Sequence, residues 1–148
     1  MGPKKRFASK MNLRQLFPNL CDENHEITSP KTIKYNCVAW AANDTQHWWQ
    51  PGSFWPLECS RDDHGIGTLV AAFQELGFEL CDDAALELGS LKIASYGSGL
   101  MYTHIARQLP DGTWTTKLGQ LEDIVHDSPE VIEGSDYGSI VQVMKRSD

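Results

Sequence analysis

The sequence has no long hydrophobic run. No stretch of its 148 residues reaches the roughly 18 apolar residues that a membrane-spanning helix requires, and no apolar stretch follows the basic residues near the N-terminus. We therefore expect no membrane anchor and no signal peptide, which predicts a cytoplasmic protein and leaves open its export as an effector. The length predicts a single domain over residues 11–148, after an extension over residues 1–10.

Basic residues are scarce. The chain has 13 Lys and Arg against 20 Asp and Glu, for a formal net charge of −7. The basic residues cluster only at the two ends, at residues 4–6 and 145–146. Because an acidic surface repels phosphate groups, we predict no nucleic-acid partner and no membrane contact. A cationic or neutral partner fits this charge better.

The four cysteines show no metal-binding or redox spacing. They stand at positions 21, 37, 59 and 81, and no two of them are separated by two residues. A zinc ribbon or a thioredoxin-type motif is therefore not predicted. A chain of this length without an export signal needs no disulfides, so reduced thiols are expected. We predict no metal and no cofactor.

The hydrophobic pattern changes along the chain. Residues 35–42 are apolar on all sides, which is typical of a buried helix, and residues 68–76 carry an apolar stripe that ends before Gly77. The second half predicts strands over residues 91–96, 102–109, 113–118 and 140–145. The order predicts an α+β fold in which N-terminal helices pack on an antiparallel sheet of about four to five strands.

The pair Asp111-Gly112 predicts a tight hairpin between two of these strands. If Pro110 pairs with Thr113, the apolar residues of both strands fall on one side of the sheet. The other side then carries His104, Ala106, Gln108, Thr115 and Lys117.

Cys37 is the strongest candidate for chemistry. It stands at the start of the predicted helix, where unpaired N–H groups and the helix dipole stabilise a thiolate. The alternative is a small buried core residue. A nucleophilic cysteine needs a base within hydrogen-bond reach, and His104 on the facing strand has the right chemistry for that role.

The motif from Tyr35 to Cys37, followed by a histidine on a strand, resembles NlpC-type and CHAP-type cysteine peptidases and amidases. The longer pattern from residue 35 to residue 119 resembles a bacterial family known only by its signature, Tyr-Asn-Cys-Val-Ala-Trp-Ala. The first resemblance implies a papain-like, NlpC-like fold, with Cys37 as nucleophile and His104 as general base. It also implies that Tyr35 and the N–H of Cys37 form an oxyanion site. Asn36, which replaces the usual aspartate, is a further candidate for the oxyanion or substrate-binding site, and the Ser-Gly that usually follows the cysteine is absent.

A third catalytic residue is less clearly marked. Asp123 is the first candidate, because the predicted register places the preceding turn opposite His104. Glu122 and Thr116 are the next candidates, and a dyad without a third residue also fits. Alternatively, the Asp123 carboxylate pairs with Lys117. A third interpretation is that Asp123 is a surface residue in an acidic segment.

The aromatic loop, residues 47–56, follows the predicted Cys37 helix. Trp48 and Trp49 are expected to line a substrate cleft, since tryptophan offers a large flat contact surface. The alternative is that these rings cap the core beneath the loop.

Two functions follow from these features. The first is a cysteine-nucleophile hydrolase that cleaves an amide bond of a peptide, protein or cell-wall peptide, as a peptidase, amidase or deamidase. The alternative is a non-catalytic protein-binding or immunity-type module that uses the aromatic loop. The enzyme requires an accessible Cys37 close to the His104 ring, whereas the binding module predicts a buried and inert Cys37.

Overall fold

A computed structural model describes residues 17–50, 54–57, 65–118 and 122–147 of the chain. Its strands are β1 His25–Ser29, β2 Glu79–Cys81, β3 Ser90–Ser98, β4 Met101–Gln108, β5 Trp114–Lys117, β6 Asp123–His126 and β7 Ser139–Ser147. Its helices are α1 Cys37–Ala41 and α2 Ile66–Glu75, and two short 3-10 turns span Asp22–Asn24 and Pro129–Ile132. None of the helices described is long and apolar enough to cross a membrane.

The seven strands form one sheet in the order β1-β6-β5-β4-β3-β7-β2, and every neighbouring pair is antiparallel. Alternation along the strands gives the sheet two faces, and each one carries a core. The helix face packs against α1 and α2 through Ile93, Ile105 and Met144. The opposite face, which we call the arm face, packs against residues 17–20 and the second 3-10 turn. Its buried residues include Ala94, Tyr96, Ala106, Trp114 and Ile124.

The predicted fold class is wrong. The prediction was an α+β, papain-like arrangement of helices on four to five strands, whereas the described residues form seven strands and only two short helices. Three of the strands were not predicted. The shortest of them, β2, has three residues, and β6 is almost fully buried, so it shows no clean alternation of polar and apolar residues.

Helix α2 forms as its pattern predicts. Leu69, Ala72 and Phe73 are buried together at helical spacing on the helix face. Gly77 has a φ of 95°, a left-handed conformation that glycine adopts without strain. Its N–H donates to the carbonyl of Gln74, and the N–H of Phe78 donates to the carbonyl of Phe73, which ends the helix.

The hairpin between β4 and β5 has a three-residue loop rather than a two-residue turn. The N–H of Gly112 donates to the carbonyl of Leu109, and Gly112 has a φ of 91°. A type I turn followed by a left-handed residue is the usual geometry of such a loop. Consequently Gln108 pairs with Trp114, one residue away from the predicted pairing of Leu109 with Trp114. A slip of one residue exchanges the two faces of a strand relative to its neighbour.

Candidate functional site

Cys37 opens α1, as the sequence predicts, and its helix packs on β4 and β5. The preceding residue, Asn36, is the N-cap and accepts a hydrogen bond from the N–H of Ala39 at 3.1 Å. The helix has only five residues, and it buries Val38, Ala39 and Ala41. Cys37 lies half-buried against the same core.

Asn36 also ties the aromatic loop to the helix. Its Nδ2 donates to the carbonyl of Trp49 at 2.7 Å, and its Oδ1 accepts from the N–H of Trp49 at 3.1 Å. Asn36 and Trp49 are both buried. Asn36 and Trp49, which were predicted to contact a substrate, therefore hold the aromatic loop against the helix instead. Trp48 is half-buried and donates from Nε1 to Gln50 at 3.1 Å.

Replacing Asn36 by alanine is expected to lower the free energy of unfolding by about 2–3 kcal/mol. The change removes the helix cap and leaves the buried N–H groups of Ala39 and Trp49 without that acceptor. Urea denaturation monitored by circular dichroism measures the loss. The matched control is Asn19→Ala, an exposed side chain with one hydrogen bond, for which we expect a loss below about 1 kcal/mol. Equal losses for both variants would contradict this role.

A cluster of polar side chains lies on β5 and β6 beside the start of α1. Lys117 and Asp123 face each other across these strands, and both residues are fully buried. The hydroxyl of Tyr35 donates to Oδ2 of Asp123 at 2.6 Å. The ammonium of Lys117 donates to the carbonyl of Thr32 at 2.9 Å and lies 5.5 Å from the centre of the Tyr35 ring.

The environment of this cluster favours the neutral form of each group. Burial raises the pKa of Asp123, although the hydrogen bond from Tyr35 and the charge of Lys117 oppose it. Burial also lowers the pKa of Lys117, against the opposing effects of Asp123 and Cys37. The pKa of Tyr35 is raised by burial and by its bond to Asp123. Clusters of perturbed pKa values occur at active sites and also in structural networks of charges.

Cys37 is not an activated thiol in this structure. Burial raises its pKa to about 11, and the backbone amides of Ile105 and Val38, with the charge of Lys117, only partly oppose that effect. The thiolate is the reactive form of cysteine, so such a pKa leaves very little nucleophile at neutral pH. The position at the helix start alone therefore does not activate Cys37.

His104 lies on the face of the sheet opposite to Cys37. Its ring is buried among arm-face residues, 4.0 Å from the Tyr137 ring and 5.4 Å from the Tyr96 ring, measured between ring centroids. The neighbouring residue, Ile105, is the one that packs with the Cys37 helix. The predicted dyad of Cys37 and His104 is thus not assembled, because alternation along β4 sends the two side chains to opposite sides.

The imidazole of His104 belongs to a buried hydrogen-bonded chain. Nδ1 of His126 lies 2.8 Å from the carbonyl of Ser128, so this nitrogen carries the proton. The Thr116 hydroxyl then donates to Nε2 of His126 at 2.8 Å and accepts from Nε2 of His104 at 3.3 Å. Nδ1 of His104 has no hydrogen-bond partner among the described residues. This assignment makes both rings neutral.

The candidates for a third catalytic residue are placed apart. Thr116 contacts His104, whereas Asp123 lies on the helix face with Tyr35. Glu122 is buried, and its carbonyl accepts from the N–H of Leu118. The predicted pairing of β4 with β5 was wrong by one residue at the loop 110–112. This error put Lys117 on the same side of the sheet as His104. With the observed pairing, the sequence would have placed Lys117 on the side of Ile105.

Comparison with known proteins places the chain in a family. Residues 26–145, most of the chain, match a family model described as a domain of unknown function, DUF7689. The chain belongs to the DUF7689 family. No curated protein and no solved structure matches it. The matched residues include Cys37, Lys117 and Asp123. They also include His104 and His126, which contact Thr116. The description of the family names no activity. The function of this DUF7689 domain must therefore be inferred from the geometry above.

Proposed function

We propose that the domain is a non-catalytic, protein-binding module in which Cys37 is a packing residue. The observation that carries this proposal is the placement of Cys37 and His104 on opposite faces of the sheet. A cysteine hydrolase needs its base within hydrogen-bond reach of the sulfur, and the sheet separates the two groups. The raised pKa of Cys37 supports the same conclusion.

The described part of the aromatic loop offers the binding surface. Trp49 and Trp55 point into the helix-face core, 6.4 Å apart between ring centroids. Phe54 and His47 stack on each other at 4.1 Å with an angle of 4° between the rings, and both are exposed. The buried pair anchors the loop, and the outer pair forms a flat aromatic surface.

Hydrogen bonds fix this surface before any partner arrives. One carboxylate oxygen of Asp44 accepts from Nε1 of Trp49 at 2.7 Å and lies 3.0 Å from Nδ1 of His47. Partial burial raises the pKa of Asp44, but the hydrogen bonds from the N–H of Gln46, from Trp49 and from His47 outweigh it and lower the pKa, so the carboxylate is charged. A rigid aromatic surface loses little entropy on binding, and the net charge of −7 favours a cationic or neutral partner.

A thiol-dependent amide hydrolase is the second candidate. The observation in its favour is that Tyr35, Lys117 and Asp123 lie beside the start of the Cys37 helix. In this scheme the neutral amine of Lys117 takes the thiol proton, and the sulfur attacks the carbonyl carbon of the amide. The same proton passes to the leaving amine, and water then hydrolyses the thioester. The lowered pKa of Lys117 is the property that such a base requires.

Alkylation of the cysteines distinguishes the two candidates. At pH 7.5 we expect iodoacetamide to modify Cys37 at least tenfold more slowly than the exposed Cys21, because a pKa of about 11 leaves little thiolate. Mass spectrometry reports each cysteine separately, and the difference should vanish in urea. His104→Asn should leave the native rate of Cys37 unchanged. Rapid alkylation of Cys37 that is lost in Lys117→Met would instead favour the hydrolase.

A further inference from the structure

Arg107 is a half-buried cation on the helix face of β4. Its guanidinium carbon, Cζ, lies 5.3 Å from the centre of the Trp40 ring of α1. Its cross-strand neighbours are Ile93 on β3 and Thr115 on β5, and neither of these side chains carries a charge. Arg107 forms no ion pair with a carboxylate of the described residues. We call Arg107 and Trp40 the arginine site.

Arg107 differs in this respect from the other buried or half-buried cations in the part of the chain that the structure describes. Each of those donates to an oxygen atom: Lys92 to Asp83, Lys117 to the carbonyl of Thr32, Lys145 to Glu87, and Arg146 to the carbonyl of Leu76. By contrast, Nε of Arg107 is buried and has no hydrogen-bond partner among the described residues. Burial lowers the pKa of Arg107, and no described carboxylate opposes that effect. A guanidinium is nevertheless always protonated in proteins, so a partly desolvated positive charge lacks a counter-ion.

The arginine site is ordered and remains open to solvent. Nε1 of Trp40 donates to the hydroxyl of Thr115 at 3.0 Å, and the Tyr35 ring stacks on Trp40 with 5.5 Å between ring centroids. Of the guanidinium nitrogens, only Nε is buried without a partner, so the two terminal nitrogens are accessible. Stacking on an aromatic ring leaves the in-plane N–H groups of a guanidinium available as donors. The site is therefore preformed for an acceptor that approaches in that plane.

We propose that the arginine site binds a carboxylate group through the terminal nitrogens of Arg107. A guanidinium and a carboxylate match as two parallel N–H···O bonds. A single accessible cation favours this singly charged group over a phosphate dianion, because Lys117 on the same face is fully buried and the chain carries a net charge of −7. The site shares no residue with the aromatic loop, so either proposal can fail without the other.

The test titrates the ¹⁵N-labelled full chain with sodium benzoate at constant ionic strength. The Nε–H signal of Arg107 in ¹H–¹⁵N NMR spectra reports binding, and its loss in Arg107→Gln assigns it. Benzamide is the matched neutral probe, because it has the same ring and lacks the charge. We expect benzoate to bind at least tenfold more tightly than benzamide, since hydrogen bonds to charged groups contribute roughly that factor. Inorganic phosphate should bind more weakly than benzoate.

The Nε1–H signal of Trp40 reports binding in the variants. Arg107→Gln should lower the affinity for benzoate at least tenfold, and Arg107→Lys, which keeps the charge without the fork of donors, should lower it several-fold. Arg146→Gln is the matched control and should not change it, because the Arg146 guanidinium also lies over a ring, 4.7 Å from the centre of Phe78, but donates to the carbonyl of Leu76. Equal effects of Arg107→Gln and Arg146→Gln, or no shift of the Arg107 signal with benzoate, would overturn the proposal. Equal affinity for benzamide, or tighter binding of phosphate, would also overturn it.

Discussion

Lowering the pH from 7.5 to 5.0 is expected to reduce the free energy of unfolding by about 2 kcal/mol through His126 alone. Burial lowers the pKa of His126 to about 4 in the folded protein, below the ordinary value of 6.5. Between these two values the unfolded chain binds a proton that the folded chain does not. Stability is therefore full above pH 6.5 and decreases as the pH falls toward 4.

The buried chain of hydrogen bonds explains why these rings resist protonation. A proton on His104 has to enter at Nδ1, which is buried and finds no hydrogen-bond partner in the part of the chain that the structure describes. Burial and the neighbouring His126 lower the pKa of His104 well below its ordinary range, so His104 adds to the loss in the same direction. Asp123 acts with the opposite sign, because its raised pKa makes the folded state bind a proton more readily than the unfolded state.

Urea midpoints at several pH values measure this dependence. His126→Asn should be less stable at pH 7.5 and should lose less stability than the wild type between pH 7.5 and 5.0. Asn19→Ala is the control, since its side chain is exposed and has no titratable group, and its profile should run parallel to that of the wild type. A wild-type midpoint that is flat over this range would contradict the buried, neutral placement of both rings.

Replacing Gly138 by alanine should destabilise the protein by more than about 3 kcal/mol. A Cβ at this position would lie 2.1 Å from the carbonyl oxygen of Gly97, and the φ of 72° is left-handed. The backbone of Gly97 belongs to β3 and cannot move without disturbing the sheet. The reciprocal hydrogen bonds between Gly134 and Gly138 hold the turn in this position.

Gly99→Ala separates the two causes of this effect. Gly99 has a φ of 62°, but a Cβ there would meet nothing within 4 Å. We expect a loss of about 1–2 kcal/mol, from the left-handed backbone alone. Thermal or urea denaturation of both variants measures the difference. Similar losses for the two variants would show that Gly138 is not in close contact with Gly97.

Local patterns predicted the elements of this protein better than their assembly. The apolar stripe and the glycine of α2, and the start of α1 at Cys37, were visible because they depend on residues three or four positions apart. The strand β6 was not visible in the sequence, since Asp123 and His126 are polar residues that long-range contacts bury. A four-residue segment with a polar residue at each end gives no signal that its partners lie on β1 and β5.

The candidate site shows how a small local error has a large consequence. One additional loop residue between β4 and β5 exchanged the two faces of β4 relative to β5, and with them the surroundings of His104 and Lys117. The sequence identified Cys37, Tyr35 and Asp123, which do lie on one side of the sheet. The role of Asn36 as a cap for both the helix and the loop depends on Trp49, thirteen residues later, and was not predicted.

The most direct test of the account is the protonation state of His104, measured by ¹⁵N NMR of the imidazole rings from pH 8 to pH 5. The structure predicts a neutral ring protonated at Nε2 throughout this range, with the same spectrum in Cys37→Ser. An imidazolium at pH 7 that becomes neutral in Cys37→Ser would reveal a thiolate–imidazolium pair. That result would contradict the placement of Cys37 and His104 on opposite faces, and with it the proposed binding function.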